Sequence, residues 1–245
     1  MKIIHSQTPE ELGKKAAKHA ADLLRMYISQ NGSARLLMST GASQLTTINA
    51  LLDEELEWDK VEMFHLDEYI DLPKDHPASF IKYLQERFVS KINLKKAHYV
   101  DTWGDIDALI SNLNQEINKS PIDVALIGIG ENAHIAFNDP PADFETEEPF
   151  IIVKLAESCR RQQLGEGWFP TLEDVPTEAV TISVKQILKS KHIISAMPFK
   201  VKAQAIYDTL NAPEITPMVP ATAMRSHSDV TIYLDADSAS MLEVE

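Results

Sequence analysis

"DVALIGIGENAHIAFNDP", residues 123–140, decides how the chain is read. Its first eight residues form an almost unbroken apolar run closed by Gly128 and Gly130. A run of that kind is expected of a strand covered on both faces, as in a parallel sheet with helices above and below. The remainder packs Glu131, Asn132, His134, Asn138 and Asp139 into nine residues. A buried strand that ends in a polar loop is the arrangement of an α/β ligand site, where ligands bind beyond the carboxyl ends of the strands.

Similar alternation runs along the rest of the chain. Residues 8–26 carry helical spacing, with Thr8 and Glu11 as a capping box and Pro9 at the first helical position. Short apolar segments at 34–39, 61–68, 178–184, 191–198 and 229–235 read as strands, and "FIIVKL" (150–155) is strand-like. Residues 43–56, 79–92 and 200–210 read as helices, with a short helical pattern at 184–190. Strands separated by helices indicate βαβ units. The expected fold is α/β: a mostly parallel, doubly wound sheet with helices on both faces, a Rossmann-like three-layer sandwich. With no internal repeat and no Gly/Ser linker, residues 1–245 are expected to form a single domain.

Composition narrows the function. A net charge of −14 argues against nucleic acid as a partner, because phosphate backbones require a basic face. It leaves room for a small phosphorylated ligand held by one or two cations and a helix N-terminus. No stretch has the ~20 apolar residues that span a bilayer, so no membrane partner is expected. The opening residues do not resemble a secretory signal, and a lone cysteine, Cys159, cannot build a disulfide framework, so a cytoplasmic setting is expected.

Four clusters fall just after strands. Thr40, Gly41, Ala42 and Ser43 make a small-residue turn opening a helix, where free N–H groups favour an anion; plain helix capping by Ser43 is the alternative. The turn lacks a P-loop lysine and a dinucleotide spacing. Asp67 and Glu68 end a strand, and adjacent strand residues face opposite ways, so their roles should differ. A carboxyl group in a dry pocket has its pKa raised and can act as a base near neutrality; a solvated pair of turn-forming acids is the other option. His134, bracketed by Asn132 and Asp139, is the natural proton carrier. Arg160 and Lys200 are the cations, Lys200 because a lysine in the first turn of a helix opposes the dipole unless an anion sits there; ordinary surface charges are the alternative. Cys159 reads as a small packing residue.

In this order the motifs "STGAS", "LDEYIDLPKDHPASF", "GIGENAHIAFNDP" and "MPFKVKAQAI" resemble the glucosamine-6-phosphate deaminase (isomerase) family, which shares its fold with 6-phosphogluconolactonases. Tyr69 and "HIAFN" fit the deaminase side. The resemblance implies that residues 40–43, Arg160 and Lys200 hold a sugar 6-phosphate. It also implies that His134 opens the pyranose ring with help from Asn132 and Asp139. Asp67 would then move a proton from C2 to C1, and ammonia would leave. Glu68 and Gly130 would complete the pocket. The resemblance implies no organic cofactor and no metal, and the histidines lack metal-ligand spacing. The partner is then a small-molecule sugar phosphate; the family includes monomers and symmetric oligomers, so a homo-oligomer stays open. Two departures stand out: Asp139 where the family generally has Glu, and Ala133 where it has Gly. A side chain one methylene shorter puts the contact with His134 in question, and positive φ at 133 would cost roughly 1–2 kcal/mol for alanine. A lactone hydrolase of the same fold and a sugar-phosphate-binding protein without catalysis are the competing readings.

Overall fold

In the computed structural model, which describes residues 1–165 and 167–242, seven parallel strands form the main sheet. They are β1 (Lys2–His5), β2 (Ala34–Met38), β3 (Val61–His65), β5 (Lys96–His98), β6 (Val124–Leu126), β9 (His192–Met197) and β10 (Val230–Leu234). Across the sheet the order is β1-β10-β9-β6-β2-β3-β5. The remaining three strands, β4 (Asp67–Tyr69), β7 (Phe150–Lys154) and β8 (Glu178–Ile182), form a small antiparallel sheet in the order β4-β8-β7.

Period-2 alternation sorts the strand side chains into two cores. Leu37, Phe64, Ala125, Ile193 and Ile232 face one side, with Leu113 and Ile117 of α4 (Ile106–Ile117), Ile187 of α6 (Val184–Leu188) and Ile206 of α7 (Ala203–Asn211). Leu36, Met38, Met63, Val124 and Ile194 face the other. There they meet α1 (Pro9–Asn31), α2 (Leu45–Leu52) and α3 (Phe80–Arg87). The expected three layers are therefore present, with α1 running five residues beyond its predicted end. Thr8 Oγ1 accepts from the Glu11 N–H, and Gly32, at φ 76°, closes the helix. The left-handed conformation at that position suits glycine.

Two strand predictions need correction. Residues 61–68 are not one strand: the chain leaves the main sheet after His65, and Asp67, Glu68 and Tyr69 pair with Thr181, Val180 and Ala179 instead. Residues 178–182 likewise belong to the small sheet. Local apolar pattern cannot distinguish these cases, since buried strands of either sheet look alike. The helix expected over 43–56 is shorter, a 3-10 turn at Ala42–Gln44 running into α2. Of the long apolar run, only Val124–Leu126 is regular strand, although the Ile127 N–H still reaches Ile194 O at 3.0 Å. Four of these strands and helices had no sequence prediction: β1, β5, α4 and α5 (Glu157–Gly165).

The order of strand succession across the sheet reverses between β2 and β6. From β2 the order proceeds outward through β3 to β5; β6 then returns to the opposite side of β2. Loops after these two neighbours diverge, and that switch point leaves a crevice at the carboxyl edge. Close packing of α1 on α2 fixes one wall of it. A Cβ on Gly13 would lie 2.6 Å from the Thr46 carbonyl carbon, so only glycine lets the two helices approach this far. Gly13→Ala is expected to lower stability by about 1–3 kcal/mol through overpacking, measured by denaturant unfolding at equilibrium.

Candidate active site

The crevice at the switch point is lined from four strand ends. Ser39, Thr40, Gly41, Ala42 and Ser43 come from the β2 end, Leu66 and Asp67 from the β3 end, Gly128, Gly130 and His134 from the β6 end, and Lys202 from the β9 end. Gln162 and Gln163 of α5 close the opening. Residues as far apart in sequence as Ser39 and Lys202 thus meet because parallel strands deliver all their carboxyl ends to one edge.

At the β2 end, Gly41 has φ 105°, a conformation that strains any other residue, and its carbonyl accepts from Tyr83 Oη at 2.8 Å. The chain then enters the turn at Ala42–Gln44, whose first N–H groups lack intrahelical acceptors. Buried Gln44 donates to Ala196 O at 3.1 Å and to Ser43 Oγ at 3.0 Å, tying the turn to β9. Ser39, a residue the sequence reading passed over, adds a buried hydroxyl with no hydrogen-bond partner among the described residues.

Asp67 and Glu68 separate as strand geometry requires. Asp67 lines the cleft, and burial, reinforced by the neighbouring Glu68 charge, pushes its carboxyl up to about 8. Glu68 points away from the cleft and is not part of its lining, contrary to expectation. Its carboxylate accepts from Ser79 Oγ and the Ile81 N–H, both at 2.9 Å, and from the Tyr69 N–H at 3.0 Å. It therefore anchors the start of α3, where the helix dipole favours a negative group. Burial nonetheless raises it to about 7.

His134 stands on Gly130. A Cβ at that glycine would fall 2.2 Å from Nε2, so the ring occupies the space a side chain would need. Nδ1 lies 2.6 Å from Asn132 Oδ1 and 3.2 Å from Asp139 Oδ1. Both neighbours are acceptors, so Nδ1 carries the proton and Nε2 of the neutral ring is a bare acceptor. The shorter Asp139 does reach the ring. Its other oxygen accepts from the Ala156 N–H at 3.0 Å, and Asn132 Nδ2 donates to Oδ1 at 3.0 Å. Burial opposes ionisation of Asp139, but the His134 bond and charge, with these two donors, hold the carboxyl below its ordinary value. Asn132 and Asp139 thus sit behind His134 rather than in the cleft wall. Ala133 has φ 64°, so the anticipated strain of roughly 1–2 kcal/mol is present.

Both predicted cations miss the cleft. Arg160 is spent on carbonyls, donating to Val175 O from Nε at 3.2 Å and to Leu172 O, and so staples the loop after α5. Lys200 is exposed, whereas Lys202 is buried and lines the cleft. A sequence signal for this existed. Lys202 is in phase with buried Ala205, Ile206 and Thr209, the i, i+3, i+4, i+7 face of the helix that follows. Two groups of metal-ligand type bring their atoms within 4.8 Å among the described residues: His134, Asp139 and Cys159, and Glu62, His98 and Glu116. In each group a histidine already bonds a carboxylate, at 3.2 Å for His134 and Asp139 and at 2.9 Å for His98 and Glu62.

A seven-stranded parallel α/β sheet with a carboxylate and a backed histidine at its switch point defines the class. The family described as glucosamine-6-phosphate isomerases/6-phosphogluconolactonase matches residues 7–233, and the chain belongs to it. A glucosamine-6-phosphate deaminase of Thermoanaerobacter sp. (strain X514) is 33% identical, over 100% of this chain and 96% of the relative. One from Streptococcus pneumoniae (strain Hungary19A-6) is 32% identical, over 99% and 100%. The solved structure of a monomeric glucosamine-6-phosphate deaminase superposes with a TM-score of 0.89 at 32% identity, covering 98% of this chain and all of that one. A 6-phosphogluconolactonase from Thermotoga maritima shares the fold at TM-score 0.78 and 17% identity, over 96% and 99%. No helix among the described residues is long and apolar enough to cross a membrane.

The Asp67 shift carries a stability consequence. Because its folded value near 8 exceeds the ordinary 3.8, the folded protein keeps a proton that the unfolded chain releases. Stability associated with the neutral carboxyl is complete below about pH 4 and is lost as pH rises through about 8. Asp67→Asn stays neutral throughout, so its melting temperature relative to wild type should climb between those pH values and level off above. A difference that stays flat with pH would contradict the burial argument.

Proposed function

We propose that the protein converts glucosamine 6-phosphate and water to fructose 6-phosphate and ammonia, acting as a single sugar-phosphate isomerase/deaminase domain. The observation that carries this reading is the meeting of Asp67 and His134 in one cleft, the first with a raised pKa and the second with Nδ1 turned to the Asn132 and Asp139 oxygens.

The N–H groups at 40–43 and the Lys202 ammonium bind the phosphate of the sugar; Lys202 takes the part expected of Lys200 and Arg160. His134 Nε2 accepts the C1 hydroxyl proton and passes a proton to the ring oxygen, opening the pyranose. Asp139 and Asn132 hold the imidazole and stabilise its charged form. Asp67, as carboxylate, removes the C2 proton and gives an enolamine. The same carboxyl returns the proton to C1 on the same face. The resulting C2 imine adds water and expels ammonia, leaving the ketose. Every step moves protons between carbon, oxygen and nitrogen, for which one carboxylate and one imidazole suffice.

A protein that binds sugar phosphates without catalysis loses one of its two supports. That reading rested on the changes at 139 and 133; Asp139 contacts His134 at 3.2 Å, and Ala133 holds the left-handed conformation at φ 64°. The test is release of ammonia and ketose phosphate from glucosamine 6-phosphate and from its galactosamine epimer. Absence of turnover with any hexosamine phosphate overturns the proposal, and acid release from 6-phosphogluconolactone in its place would establish the hydrolase.

Asp67→Asn should lower kcat by about 10²–10⁴-fold, the range of a general base. For the wild type, kcat/KM should rise with pH to a plateau above about 8, because the base works only when ionised. The limb in kcat should lie at lower pH, since a substrate ammonium beside Asp67 favours the carboxylate. Lys202→Met should raise KM at least tenfold, while Lys200→Met leaves it within about twofold, each fold read as RT ln of the ratio.

A further inference from the structure

Between β9 and Lys202 the backbone does something unusual. Phe199 has φ 80° and ψ 144°, a combination that strains any residue with a Cβ. It immediately precedes the turn Lys200–Lys202, and the Lys202 N–H donates to Phe199 O at 3.0 Å. Phe199, Val201 and Lys202 all line the cleft. The direction in which this turn leaves β9 is therefore set by one disfavoured dihedral.

What holds the dihedral lies on the neighbouring strand. Asp235 directly follows β10, which pairs with β9 in parallel register as far as Leu234 and Met197. The Asp235 side chain is 1% exposed. Its Oδ2 accepts from the Phe199 N–H at 2.9 Å. Oδ1 accepts from the Ser238 N–H at 2.7 Å, and Ser238 Oγ accepts from the Asp235 N–H at 3.0 Å. The carboxylate is thus immobilised by a closed turn of its own chain, with its second oxygen left to the Phe199 amide. A relaxed, negative φ at Phe199 would turn that N–H away from Oδ2 and leave a buried carboxylate oxygen short of a donor.

We propose that Asp235 is a positioning residue: by clamping the strained Phe199 amide it directs the Lys200–Lys202 turn so that Lys202, and not Lys200, enters the cleft and meets the ligand phosphate. The proposal rests on the phosphate-binding role given above to Lys202. Asp235 touches no ligand, so its effect is on affinity for the phosphate and not on proton transfer.

Asp235→Asn keeps an acceptor for the Ser238 N–H but turns an amide NH2 toward the Phe199 N–H. It should raise KM for glucosamine 6-phosphate about tenfold with kcat within about twofold, and weaken inorganic phosphate in calorimetry by a similar factor. Relief of the strain should uncouple the two positions. Placed in a Phe199→Gly background, Asp235→Asn should change KM and phosphate affinity by less than about twofold relative to Phe199→Gly alone, a non-additivity that marks the contact. A clamp that merely stabilised the fold would lower the melting temperature equally in both backgrounds without this cycle. Equal loss of phosphate affinity in both backgrounds overturns the proposal, and so does unchanged affinity in Asp235→Asn. If Asp235→Asn does not fold, Phe199→Val, which raises the strain at an exposed side chain, must weaken phosphate binding or the proposal fails. Calorimetry with inorganic phosphate reads these outcomes even if no hexosamine phosphate is turned over, so the clamp and the reaction fail independently.

Discussion

A carboxyl group kept out of water at position 67 is the constraint around which this molecule is organised. No cation among the described residues pairs with it, and burial, with the Glu68 charge beside it, dominates its titration. Such a group is expensive to bury when ionised. It can be maintained only where the backbone on both sides is fixed by stronger interactions. Here β4 is zipped onto β8, Glu68 is locked to the first turn of α3, and Thr181 Oγ1 accepts from the Phe137 N–H beside the cleft at 3.0 Å. The small antiparallel sheet, which packs Phe150, Val180 and Ile182 into one of the two cores, is the element that holds this carboxyl.

His134 follows the opposite strategy. Asp67 has only a backbone hydrogen bond from Phe137 set against its burial, whereas the imidazole is backed by two acceptors and a chain of donors that ends at the Ala156 amide. One group is made a stronger base by desolvation; the other is held in one tautomer by hydrogen bonds. Two titratable groups in one cleft are thus set by different means. Strain is concentrated around the same cleft, with Ala133, Ala136 and Phe199 all at positive φ. Two of these flank the histidine and the third precedes the lysine turn, where surrounding contacts can sustain it.

Legibility in the sequence followed the range of the interactions. Strand and helix identities were largely readable because apolar periodicity is local. The site strands β2, β3, β6 and β9 were located to within a few residues. The histidine loop was readable too, since Asn132, His134 and Asp139 are close enough in sequence to bond within one turn. The lysine that lines the cleft is Lys202, two positions beyond the expected Lys200. Helix-dipole reasoning addresses the first turn as a whole, while the choice between Lys200 and Lys202 depends on a dihedral held from β10. Arg160 was misread because its partners, the carbonyls of Leu172 and Val175, become acceptors only when the loop folds back over α5.

By itself, then, the sequence determined the layer architecture, the family resemblance and the placing of Asp67 and His134 just after strands. Those features rest on periodicity and on residues adjacent along the chain. Tertiary structure alone decided that residues 61–69 divide between two sheets, that Glu68 caps a helix instead of meeting a ligand, and which cation reaches the cleft. Each of these outcomes depends on a hydrogen bond or a strand pairing between segments remote in sequence, and local composition carries no record of such a partner.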